Sequence, residues 1–122
     1  MSTQEQQAAF WLQYSQQLSN SIRYTEALAA AEKAVALNPA NPETWYTRGT
    51  CFAMLARYQE ALADFEQSLT LQDHDAAAWD AKAWVLGILG HKQEALAAVN
   101  RALEIDPNYL EAQRRKERLE VL

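Results

Sequence analysis

Residues 42–75 read PETWYTRGTCFAMLARYQEALADFEQSLTLQDHD, and this stretch decides the fold. It opens at Asn41-Pro42-Glu43 like a helix start, with a side chain able to cap, a proline suited to the first turn and an acid at the positive end of the helix dipole. In its second half Ala61, Leu62, Phe65 and Leu69 recur at spacings of three and four, which is the stripe of an amphipathic helix and not the alternation of a strand. A turn falls between the halves near Ala56-Arg57-Tyr58. The stretch therefore predicts two helices folded back on one another.

The same pattern stands on either side of it. Trp45 has counterparts in Trp11 and Trp79, each 34 residues away. Glu60-Ala61-Leu62 repeats at the same offset as Glu26-Ala27-Leu28 and Glu94-Ala95-Leu96, and Leu71 as Leu37 and Ile105. Five positions per unit sharing one period mark a repeated supersecondary unit. Asp75 is the cap equivalent to Asn41, further turns fall near Ser21-Ile22-Arg23-Tyr24 and Gly90-His91-Lys92, and Pro39 and Pro107 stop the second helix of their units. These signals predict helices over about 4–20, 25–37, 42–55, 59–71, 76–89, 93–105 and 109–121.

A 34-residue helix-turn-helix with a tryptophan early in its first helix and an alanine at the start of its second resembles the tetratricopeptide repeat. Three units cover about 8–41, 42–75 and 76–109 of a single domain spanning 1–122, with a solvating helix at about 109–121. The resemblance implies an all-α, right-handed superhelix of three helical hairpins plus that last helix. The glycine usual later in the family's first helix is kept as Gly49, with Ser15 and Ala83 in the flanking units, and Phe52, Leu18 and Leu86 stand for the usual tyrosine. The closing proline is Asp73 in the middle unit, a departure expected to loosen the turn Asp73-His74-Asp75. The tryptophans are expected to fill gaps between helices, and Leu110, Ala112 and Leu119 to face the third hairpin.

Composition narrows the function. The chain carries 16 acidic and 11 basic residues, a formal charge of −5, so most of its surface repels phosphate backbones and nucleic acid is not an expected partner. Apolar runs are interrupted well short of the roughly 20 residues needed to cross a bilayer, and Met1-Ser2-Thr3-Gln4-Glu5 lacks the basic patch and apolar run of a signal peptide. No membrane insertion and a cytoplasmic location are expected.

Neither a phosphate-binding glycine loop nor a nucleophile with its base and orienter is present, so no enzyme and no cofactor are expected. His74 and His91 belong to different turns and do not make a metal site. Cys51, the one cysteine, reads as a small buried thiol.

What remains is an interaction surface. In tetratricopeptide stacks the first helix of each hairpin lines a concave groove, and the resemblance carries this role to Leu12, Gln13, Gln16 and Asn20, to Tyr46, Thr47, Thr50 and Met54, and to Asp80, Trp84 and Ile88. Tyr46, Met54, Trp84 and Ile88 are the side chains suited to anchor a ligand. Trp84, off the repeat period, has two readings, an anchor for a partner or a packing partner of the last helix.

Arg115 and Arg118, with Arg114, bring positive charge to the groove end, and Glu43 and Asp80 supply the opposite sign farther in. The same cations also suit a solvated capping helix with Glu111–Arg115 and Lys116–Glu120 surface pairs. Family members that clamp the acidic C-termini of heat-shock chaperones use Lys, Asn and Arg at positions that here are Leu12, Gln16, Thr47, Ala77 and Ala81, so no such clamp is expected.

The sequence thus reads as a non-catalytic adaptor, assembly or scaffold module that binds a peptide or partner helix. Its alternative is a self-associating structural module, a homo-oligomer.

Overall fold

The computed structural model describes residues 2–122. Among them are seven helices and no strand: α1 (Thr3–Asn20), α2 (Tyr24–Leu37), α3 (Pro42–Met54), α4 (Tyr58–Leu71), α5 (Ala76–Ile88), α6 (Lys92–Ile105) and α7 (Leu110–Glu120). Each boundary lies within one residue of its expected place. Local chemistry explains why. Asn41 and Asp75 accept hydrogen bonds from the Glu43 and Ala77 amides and so satisfy first-turn donors, and Pro42 occupies the first turn of α3.

The turns inside the hairpins are built alike. The Arg23 amide donates to the Leu18 carbonyl and the Ile22 amide to Ser19; Arg57 to Phe52 and Ala56 to Ala53; His91 to Leu86 and Gly90 to Gly87. These are three Schellman closures at the 34-residue period, each needing one residue with left-handed backbone. Ile22 (φ 60°), Ala56 (φ 62°) and Gly90 (φ 84°) supply it, and only the last is the residue type that does so without strain.

Packing is quasi-one-dimensional. Helices α1 and α2, α3 and α4, and α5 and α6 form hairpins, α2 meets α3, α4 meets α5, and α6 meets α7. The first helices also touch in series, α1 with α3, α3 with α5 and α5 with α7, so they lie side by side on one surface. No single hairpin encloses its own core, and stability is shared between neighbours.

The core is organised around the small position four residues after each tryptophan. Ser15, Gly49 and Ala83 are buried there. Facing Gly49 is Phe65, fully buried, whose ring lies so near that a Cβ on Gly49 would come within 2.8 Å of it. At the register position of Phe65 the other hairpins have Ala31 and Val99, so bulk on one helix is matched by its absence on the other.

Three expectations are corrected. The period tryptophans are only half-buried. The indole N–H of Trp45 donates to the Pro39 carbonyl at 2.7 Å and that of Trp79 to Asp73 at 2.8 Å, so these two brace inter-repeat turns from the rim, while Trp11 and Trp79 also pack against the buried clusters. The turn at Asp73 is the looser one, as expected: the Asn41 amide donates to the Asn38 carbonyl and the Tyr109 amide to Asp106 in the two turns that keep the proline, and the middle turn has no such bond, although Asp73 still offers its carbonyl to Trp79.

Leu110 does not face the third hairpin: it is 48% exposed, while Ala112 and Leu119 are buried as expected. Gln113 holds the tryptophan position of α7, and its Nε2 donates to the Pro107 carbonyl at 2.7 Å. Helix α7 is thus placed like the first helix of a further unit, with a polar residue at the tryptophan position.

The surface pairs Glu111–Arg115 and Lys116–Glu120 are not among the ion pairs of the described residues. Arg115 reaches across to α5 instead.

Candidate interaction groove

The surface formed by α1, α3, α5 and α7 is set by register. Residues 34 apart occupy equivalent places on successive helices, which produces rows across the surface: Gln16, Thr50, Trp84 and Arg118 form one, and Asn20, Met54, Ile88 and Leu122 another. Read along each row, the surface passes from amide through hydroxyl or thioether to large apolar side chains and then, in the first row, to a guanidinium.

At the α1 end the polar groups are largely engaged with each other. Gln16 Nε2 donates to Glu43 Oε1 at 3.0 Å and approaches Thr47 Oγ1 at 3.5 Å, and the Thr50 hydroxyl donates to the Tyr46 carbonyl. Gln16, Asn20, Tyr46, Thr47 and Thr50 share one depression, and Leu12, Gln13 and Gln16 line another toward the N-terminal edge. Leu12 and Thr47 are themselves buried, so they shape the floor of this end and present little surface.

Tyr46 forms the middle. Its ring lies 5.6 Å from that of Phe65, and burial first, then the Asp75 and Asp80 carboxylates, push its phenol above the ordinary tyrosine value. Tyr109, at the start of α7, is pushed up to about 12 by burial first and then by the neighbouring Tyr46 and Asp80. Both phenols are therefore protonated donors through the neutral range.

At the α7 end lies the most apolar depression, a cavity of about 250 Å³ lined by Trp84, Gly87, Ile88 and Leu119 with Arg115 and Arg118 at its edge. Trp84 serves both readings at once: it packs on the core shared by the first two hairpins and also forms a wall of this cavity together with α7. Met54 and Ile88 are 43% and 47% exposed beside it.

Two of the expected groove residues have a different role. Asp80 is buried, and Arg115 holds it through two parallel hydrogen bonds, Nε to Oδ1 at 2.7 Å and a terminal nitrogen to Oδ2 at 3.1 Å. The pair locks α7 to α5 and neither group is free to meet a ligand. Arg118, like Arg114, makes no ion pair among the described residues and is exposed, and of the two it is Arg118 that borders the cavity.

A second buried pair, Arg48 with Asp64 at 2.8 Å for both contacts, locks α3 to α4; sequence reasoning missed it. The signal was there, because Asp64 stands where the other hairpins have Ala30 and Ala98. Asp64 raises the Arg48 guanidinium above its ordinary value by accepting those hydrogen bonds.

No group of three metal-ligating side chains occurs among the described residues, His74 and His91 are both exposed, and Cys51 is fully buried between the Ser15 and Ser19 hydroxyls. No helix of the described residues is long and apolar enough to cross a membrane.

The tetratricopeptide repeat model matches residues 42–108, more than half of the chain. The chain belongs to the tetratricopeptide repeat family. Solved tetratricopeptide structures superpose over nearly its whole length: the Arabidopsis OM64 domain (TM-score 0.94, 19% identity, 97% of this chain and 98% of that one) and the second domain of human RPAP3 in complex with the HSP70 peptide SGPTIEEVD (0.91, 19%, 96% and 98%). The Yersinia enterocolitica secretion chaperone SycD in complex with a peptide of the translocator YopD is also similar (0.85, 14%, 93% and 92%). At these identities the likeness establishes the α-α solenoid. No curated protein matches the chain. Tetratricopeptide domains are, as a family, protein–protein interaction modules, in general non-catalytic.

Proposed function

We propose that the chain is an adaptor or assembly module of the cytoplasm that holds a peptide or a partner helix of another protein in the surface formed by α1, α3, α5 and α7. The observation that carries this reading is the apolar group of exposed Met54 and Ile88 with half-buried Trp84, on the face where the first helices lie side by side. Large side chains left partly in water beside polar neighbours are what a hot spot is made of. The RPAP3 and SycD complexes, each with a bound peptide, support the same use of this fold.

The ligand is not held by a basic clamp on an acidic C-terminus. Leu12, Thr47 and Ala81 are buried and uncharged, and Gln16 and Ala77 carry no cation. The test is affinity capture on wild type beside a Met54→Gln, Ile88→Gln double variant, both changes exposed and helix-compatible. A protein retained by wild type and lost from the variant at unchanged helicity supports the groove; equal retention on both refutes it.

A second reading, association of two copies, is favoured by the opposite end of the stack. Phe10 is 59% exposed at a register position where the other hairpins bury Thr44 and Ala78 beneath a preceding hairpin, and Tyr14 stacks beside it. Light scattering decides between them: mass growing with concentration, and reverting with Phe10→Gln, supports association through this face, whereas a monomer at all concentrations excludes it.

A further inference from the structure

The first row of the groove places a free cation one helix beyond a large apolar side chain. Trp84 and Arg118 are equivalent residues of α5 and α7, and they bound the same cavity. Arg115, on the same helix, is consumed by Asp80, so of the two arginines that line the cavity Arg118 is the one with charge to offer, while Arg114 is exposed outside the cavity. Toward the other end of the groove the exposed charge is of the opposite sign, at Glu43.

We infer that the groove selects an extended peptide segment bearing a large apolar residue and, about three residues away, an internal Asp or Glu side chain. The inference rests on the groove being the binding surface. Spacing follows from packing: neighbouring helices lie about 8–10 Å apart, and an extended chain advances about 3.3 Å per residue, so an apolar anchor seated against Trp84 and Ile88 puts the residue roughly three positions on over Arg118. An acid there gains a charge-assisted bond to a guanidinium whose stem is already half-ordered by the cavity wall. On the opposite flank the same row offers Thr50, an uncharged hydroxyl already given to the Tyr46 carbonyl, so an acid there gains no cation, and the orientation of the segment is fixed by charge.

Recognition in this form needs no terminal carboxylate. It therefore describes a site internal to a partner's sequence, unlike a clamp on a chain end.

A synthetic library of amidated peptides with a fixed central Phe and all other positions mixed tests this directly on immobilised full-length protein. The expected result is enrichment of Asp and Glu about three positions from Phe on one side only. Arg118→Gln, at an exposed site that leaves helicity unchanged, abolishes that enrichment and weakens a selected peptide about fivefold, Arg118→Lys retains it, and Arg118→Glu turns it to Lys and Arg.

Enrichment of acid that survives Arg118→Gln, or retention of peptides with no acid preference, overturns the inference. The Met54→Gln, Ile88→Gln variant separates the two levels. If it loses all peptides while wild type shows no acid preference, the groove stands and only the acid selection fails; if it retains them as wild type does, or if wild type retains none, both fall.

Discussion

Asp80 and Arg115 are joined by two hydrogen bonds, at 2.7 and 3.1 Å, across the seam between α5 and α7. This contact, together with buried Ala112 and Leu119, makes the last helix part of the groove wall and not a loose tail. Breaking a buried pair from one side is costly, because the remaining charge keeps its desolvation penalty and loses its partner. Arg115→Gln is therefore expected to destabilise the chain by about 3 kcal/mol, and Asp80→Ala with Arg115→Leu together by clearly less than the sum of the two single changes. Urea melts of the single and double variants measure this. Additive losses would show that the pair carries no coupling.

The three hairpin turns give an internally controlled comparison. Ile22, Ala56 and Gly90 share one left-handed backbone position, which costs a residue with a Cβ about 1 kcal/mol or more. Both side chains that bear the strain can be dispensed with, since Ile22 is 74% exposed and Ala56 is also exposed. Ala56→Gly and Ile22→Gly are expected to stabilise by about 1 kcal/mol each, and Gly90→Ala to destabilise by a similar amount. Thermal melts followed by circular dichroism give the signs. A loss of stability in both glycine variants would mean that these turns are not strained.

Two helical glycines are predicted to respond in opposite directions. Alanine at either gains about 1 kcal/mol of helix propensity. At Gly49 the new methyl would lie 2.8 and 3.0 Å from the Phe65 ring and 3.1 Å from Asp64 Cβ, in a region where neither neighbour can move, and overpacking costs about 1–3 kcal/mol. At Gly87 the sole close neighbour is the end of the Leu119 side chain at 3.3 Å, which can turn aside. Gly49→Ala should lower the denaturation midpoint and Gly87→Ala should leave it unchanged or raise it. The Gly49→Ala, Phe65→Val double variant, which copies the Ala83 and Val99 combination of the third hairpin, should recover part of the loss.

The period of 34 was legible in the sequence because the repeat reuses local chemistry: caps at Asn41 and Asp75, turns before Tyr24 and Tyr58, and alanines where helices approach. Helix bounds followed from those signals. The tryptophans were placed too deep because recurrence reports a shared place in each unit, not how far that place is buried; Trp45 and Trp79 stay half-exposed at the rim, where their indole N–H groups reach a turn carbonyl. The ion pairs of Asp64 and Asp80 were harder still, since they obey no repeat and join residues 16 and 35 apart in sequence. In the groove, the rows could be read from the period, but which residues stay free could not. That Arg118 is unpaired while Arg115 is consumed depends on which of them reaches Asp80, a matter of geometry between α5 and α7.

Alkaline pH should weaken the fold through its buried neutral groups. Burial raises the Cys51 thiol above its ordinary value, raises Tyr46 likewise, and pushes Tyr109 up to about 12. Each group is charged when deprotonated, so the folded state holds these protons to higher pH than the unfolded state does. Above the unfolded values, 9.0 for the thiol and 10.0 for the phenols, the native chain binds more protons than the unfolded chain, and stability falls as pH rises. Below pH 9 these groups contribute no slope. The expected outcome is a melting temperature that declines from pH 9 to 12, with a shallower decline in Tyr109→Phe and in Cys51→Ala. Tyrosinate absorbance gives an independent reading: in the native state at pH 11 fewer than the five tyrosines should ionise, and all five should do so in urea. Full native ionisation at pH 11 would show that Tyr46 and Tyr109 are in contact with bulk water and that α7 does not cover them.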